Sequence, residues 1–141
     1  FLIERKPVRV PNFAEYLKCL SSIEFETLIA KYLEESGLFV PAYKGGFIRN
    51  YDLFCKNMTV KDIKIDRIIV KHKESISVQI KLHLPRNAHS DGTDYFFCIF
   101  SDLSADNIYD YEYIRRNLEK TPLTKKWLDN SLYWIDPKNI I

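Results

Sequence analysis

Residues 74–84 read ESISVQIKLHL. Ile76, Val78, Ile80 and Leu82 take every second position, with Ser77, Gln79, Lys81 and His83 between them. Alternate side chains of an extended chain point to opposite faces, so this spacing predicts a strand over 75–83 with one aliphatic core face. The other face sets Gln79 and Lys81 side by side, although both are poor strand formers. Such residues on the most regular strand of the chain ask for a reason beyond folding.

Upstream, Phe25, Leu28, Ile29, Tyr32 and Leu33 recur at helical spacing and predict a helix over 21–36. Ser21 with Glu24 three residues later fits a capping box, and Leu20 is placed to staple onto Phe25. Gly37 stands where a left-handed residue ends a helix, with Leu38 placed to touch Leu33. LFVPAY (38–43) then reads as a short strand, KGG as a turn and 48–55 as a second strand. Residues 56–74 hold one or two short strands around Ile63–Lys71 and a turn at about 72–74.

Downstream, PRNAHSDGTD is a loop and YFFCIF (95–100) a buried strand. Residues 105–120 fit a helix, LTKKWLDN a further helical turn and SLYWIDP a closing strand. This order predicts an α/β domain with a mixed sheet. The 11 residues between His83 and Tyr95 predict an antiparallel hairpin there, because a parallel crossover ordinarily takes more chain.

With 141 residues, 46% of them hydrophobic, the chain is one ordinary domain with enough apolar surface for a core. It has no apolar run long enough to span a membrane. It starts at Phe1, and residues 1–13, with Pro7 and Pro11, read as a linker or N-terminal extension without signal-peptide features. The expectation is a single domain over 14–141, cut from a longer polypeptide. Cys19, Cys55 and Cys98 are isolated and odd in number, which favours a reducing, cytoplasmic setting. His72, His83 and His89 lack zinc-ligand spacing. A net charge of +2 neither demands nor forbids nucleic acid as a partner.

Asp52 sits between Tyr51 and Leu53 in an apolar strand, where a carboxylate is costly unless it is paired or holds a cation. If that strand adjoins 75–83, Asp52 meets Gln79 and Lys81. Glu26, about 100° around the helix from Phe25, flanks the apolar stripe and can add a second carboxylate. The plainer reading is an Asp52–Lys81 cross-strand ion pair, worth roughly 0.2–1 kcal/mol.

EFETLIAKYLEESGLFV, then YDLFCKN, then SVQIK, resembles the PD-(D/E)XK nuclease superfamily, in the style of the Mrr-type restriction endonucleases. The likeness runs from about residue 22 to 83. It implies a restriction-endonuclease-like mixed sheet flanked by helices. Asp52 would be the metal-binding aspartate, Gln79 would stand where most members carry Glu or Asp, and Lys81 would be the catalytic lysine. Glu26 would be the acid of the first helix and the Ile80 carbonyl a further metal ligand.

The implied activity is metal-dependent hydrolysis of DNA phosphodiesters, with Mg²⁺, or Mn²⁺ in its place, as the cofactor. Three departures stand out: Tyr51 precedes Asp52 where Pro is usual, 27 positions separate Asp52 from Gln79, and no helix soon follows the lysine strand. The long spacing implies an inserted β-hairpin.

His83, Arg49 and Lys44 are candidates for nucleic-acid contact. Lys56, Lys61, Lys64, Arg67, Lys71 and Lys73 gather in the inserted segment, diluted by Asp62, Asp66 and Glu74, and read first as a solvated face. Expected partners are DNA (RNA being open to the same chemistry), a further domain of the same polypeptide that selects the target, and a second copy in a homodimer. The competing readings are a catalytically inactive nuclease fold that binds nucleic acid or protein, and a strand-cleavage domain for transposition or junction resolution.

Overall fold

A computed structural model describes residues 8–41, 53–88 and 92–137. Asn12, extended and accepting the Glu15 N–H through its side chain, starts α1, Phe13–Leu17. Ser21 then caps α2, Ser22–Glu35: its hydroxyl accepts the Glu24 N–H at 3.1 Å while the Glu24 carboxylate accepts the Ser21 N–H at 2.8 Å. Gly37, at φ +114°, ends that helix. Its N–H bonds to the Glu34 carbonyl and the Leu38 N–H to that of Leu33, the two bonds of a Schellman motif.

Four strands form the main sheet in the order β1-β4-β5-β6. β1, Leu53–Lys56, runs antiparallel to β4, Ser75–Leu84, with Leu53 opposite Val78. β5, Tyr95–Ser101, pairs with β4 in parallel, and β6, Ile108–Tyr109, pairs with β5 in the same sense. The inserted segment is a hairpin of β2, Ile63–Ile65, and β3, Ile68–Val70, closed by Asp66 at φ 54°. α3, Tyr111–Leu118, and α4, Pro122–Ser131, complete the chain of elements. The mixed α/β architecture and the inserted hairpin agree with the sequence reading.

The pairing of β4 with β5 overturns the expected antiparallel hairpin. Ile80 lies opposite Phe97 in a parallel ladder. Returning from Leu84 to the level of Ser77 means covering about 23 Å, and the ten steps from Leu84 to Asp94 can span about 33 Å, so no helix is needed. Asp94 locks the return. Its carboxylate accepts the Ser77 N–H at 2.8 Å and the Ser77 hydroxyl at 3.2 Å, and its own N–H donates to the Ser77 carbonyl at 3.1 Å.

Other elements shift by local chemistry. The helix expected from about 105 begins at Tyr111, because Ile108 and Tyr109 join the sheet and Asp110 caps α3 directly after them. The further helical turn is a ten-residue helix. The closing strand is reduced to a bridge between Ile135 and Val8, and the strand at 38–43 to a bridge between Phe39 and Lys56 among the described residues. α1 was not expected at all.

One core dominates. Leu53 and Cys55 of β1, Val78 and Ile80 of β4, and Phe97 and Ile99 of β5 present one sheet face to Phe25, Leu28, Ile29 and Leu33 of α2 and to Tyr113 and Ile114 of α3. On the opposite face a small cluster of Leu84, Phe96 and Cys98 lies under Ala88 of the return loop. No helix among the described residues is long and apolar enough to cross a membrane.

Candidate functional site

β1 covers β4 from Ser75 to Val78 among the described residues, and the first turns of α2 approach the stretch of β4 beyond it. Phe25, fully buried, and Ile80, 5% exposed, belong to the core there. Each has a polar neighbour one residue on: Glu26 on the helix and Lys81 on the strand. The result is a cavity of about 340 Å³ lined by Ser22, Phe25, Glu26, Ile80, Lys81, Leu82 and His83. Glu26 is half-buried and Lys81 exposed.

Of the residues singled out from sequence, Glu26, Ile80, Lys81 and His83 therefore share one cavity. Gln79 does not line it; it is half-buried and lies opposite Phe96 in the β4–β5 ladder. Asp52, Arg49 and Lys44 lie outside the described residues. Asp52 is the chain neighbour of Leu53, whose partner Val78 is the chain neighbour of Gln79.

His83 has a partner that sequence reasoning missed. Its Nε2 lies 3.1 Å from Asp102 Oδ2. The parallel ladder puts His83 beside Phe100 and ties the Asp102 N–H to the Leu84 carbonyl at 2.9 Å, so Asp102 reaches the end of β4. An antiparallel hairpin would have hidden that proximity. A carboxylate on one ring nitrogen orients the imidazole.

Glu26 and Ile80 both line the cavity, and a carboxylate with a backbone carbonyl is a donor set that suits a hard divalent cation of the magnesium type. No group of three His, Cys, Asp or Glu side chains placed to hold a metal occurs among the described residues. The thiols of Cys55 and Cys98 are pushed up to about 12, chiefly by burial, with Glu34 and Asp110 respectively adding to the effect. Both are protonated core groups at neutral pH.

No family model, curated protein or solved structure matches this chain.

Proposed function

We propose that this chain is a metal-dependent DNA endonuclease domain of restriction-endonuclease-like fold. The observation that carries the reading is that Glu26 and Lys81, from a helix and a strand far apart in sequence, both line one cavity with Ile80. An acid, a carbonyl oxygen and an ammonium are the groups that an ion-assisted attack on a phosphodiester requires.

In this reading Glu26 and the Ile80 carbonyl would hold Mg²⁺, or Mn²⁺ in its place, with Asp52 and Gln79 as the further ligands that the sequence resemblance implies. When bound, the ion supplies a hydroxide at neutral pH and positive charge against the scissile phosphate. Lys81 orients the attacking water and steadies the charge that builds on the phosphate oxygens. His83, held by Asp102, contacts a neighbouring phosphate at the cavity mouth. The buried Phe25 and Ile80 keep the floor apolar, which strengthens each of these electrostatic interactions. DNA is the substrate, a further domain of the polypeptide selects the target, and the setting is cytoplasmic.

Purified protein should nick DNA in the presence of Mg²⁺ or Mn²⁺, and Lys81→Ala should abolish nicking at an unchanged circular dichroism spectrum and melting temperature. Equal inertness of wild type and variant on supercoiled, linear, branched and single-stranded DNA would overturn the proposal. A calorimetric titration with Mn²⁺ that gives no binding heat would then favour the non-catalytic binding fold.

A further inference from the structure

A second feature lies at the other end of α2. Ser22 at the start of this 14-residue helix lines the Glu26 cavity, whereas Gly37 beyond its end faces Ile63 of the hairpin. The helix is about 21 Å long, and the two regions share no lining residue. Here the hairpin meets the end of α3. Lys64, Asp66, Arg67 and Ile69 from the one and Lys120 from the other line an open cleft of about 670 Å³.

The charges in this cleft are one-sided. Asp66 is its single lining carboxylate, and it is already engaged: the Asn117 amide and the Arg116 guanidinium each donate to Oδ2 at 3.2 Å. Arg67 lies over the Tyr109 ring, 4.9 Å from its centroid, which fixes the guanidinium's place. Lys64 and Lys120 are exposed and make no salt bridge among the described residues. A chain with a formal net charge of +2 thus gathers three cationic side chains, Lys64, Arg67 and Lys120, along one cleft whose carboxylate is paired with a fourth, Arg116. The basic hairpin segment, which reads alone as a solvated face, and Lys120, some 50 residues further on, are made into one surface by the fold.

We propose that this cleft docks the phosphate backbone of a DNA duplex at a place separate from the Glu26–Lys81 cavity. Its form argues for an extended polyanion. Long, mobile lysines spread over an open cleft suit a row of phosphates, whereas a single phosphate is ordinarily enclosed by backbone N–H groups. A membrane surface would call for several exposed apolar side chains beside the cations, and Ile69 alone lines the cleft as one. The proposal deepens the nuclease reading, on which the choice of nucleic acid among polyanions rests.

The test is binding without cleavage. Fluorescence anisotropy with a labelled DNA duplex of about 20 base pairs, in a chelator, is followed across salt concentration for the wild type, Lys64→Ala/Lys120→Ala and Lys126→Ala. The double variant should bind about tenfold more weakly, and its logarithmic salt slope should be shallower by about two, one for each lost phosphate contact. Lys126→Ala, an exposed lysine of α4 that lines neither the cleft nor the Glu26 cavity, should keep the wild-type slope.

An unchanged affinity and slope in the double variant overturns the proposal. So does full competition by phosphatidylserine vesicles or by inorganic tripolyphosphate at matched phosphate concentration. So does a wild type that binds no duplex. Since Lys64 and Lys120 are exposed, the double variant should melt like the wild type; if it does not, Arg67→Lys, which keeps the charge but loses the planar stack on Tyr109, should retain the slope and weaken binding. Cleft-dependent binding by a protein that cuts nothing would sink the nuclease reading alone.

Discussion

Asp66 shows how one residue can serve both the fold and the charge of a surface. Its backbone takes the left-handed turn between β2 and β3, and its carboxylate reaches across to α3. The Asn117 amide, and after it the Arg116 guanidinium, hold that carboxyl below the usual carboxylate range against the smaller opposing effect of burial. The folded pKa is thus the lower one, so the contribution to stability is present above the unfolded value, near 4, and is lost as pH falls through the folded value. Asp66→Asn keeps the turn, since Asn tolerates the same backbone, and removes the charge. The gap in urea midpoint between wild type and variant should be full at neutral pH, shrink on acidification below about pH 5 and close in strong acid. A gap independent of pH would show that the carboxylate's charge does no stabilising.

At this scale the sequence is readable where chemistry is local. The partners Ser21 and Glu24 are three residues apart, and Glu26 and Lys81 stand out by residue type. Asp102 beside His83, and Asn117 beside Asp66, are set by pairing across the fold, which no local pattern encodes.

Between elements, one side chain of α2 caps the start of α4. Thr121 precedes α4 but makes no side-chain cap, and Pro122 at its start has no N–H to satisfy. Glu35, the last residue of α2, caps it from outside. Its carboxylate accepts the Leu123 N–H at 3.1 Å, the Thr124 N–H at 2.7 Å and the Thr124 hydroxyl at 2.7 Å. Burial pushes this carboxyl up, but the Thr124 and Leu123 bonds outweigh it and leave the pKa lowered. Glu35→Ala should cost about 1–2 kcal/mol by urea unfolding, and Glu35→Gln less, because the amide oxygen still accepts. Equal losses for the two would mean that the position matters for packing.

The helix ending at Glu35 was legible in advance because its stripe, capping box and terminal glycine agree with one another. The β4–β5 connection was not. Loop length alone cannot separate a hairpin from a short return held by the Ser77–Asp94 clasp. α1 is five residues long, too short for a periodic stripe, and β6 has two residues; both are held by tertiary contacts.

For the molecule as a whole the open question is whether the β2–β3 hairpin is an appendage or part of the body. Its sequence position, between two strands that pair with each other, suggests an addition that could be lifted off. Its packing argues otherwise. Ile68 and Val70 are fully buried, Ile65 is 5% exposed, and all three belong to the main core with α2 and α3. Tyr113 donates its hydroxyl to the Ile65 carbonyl at 3.1 Å, and Asn57, with no exposed surface, donates its amide to the carbonyls of Lys61 and Val70 at the hairpin's base. An integral hairpin predicts that Ile68→Ala opens a cavity in the common core, costs about 2–5 kcal/mol and shifts a single cooperative transition. An appended hairpin predicts a loss below about 1 kcal/mol and early amide exchange confined to 63–70, with β4 and β5 still protected. Urea unfolding together with residue-resolved hydrogen exchange separates the two. The first outcome would also fix Lys64 and Arg67 rigidly relative to the Glu26–Lys81 cavity, as the proposed alignment of a duplex for cutting requires.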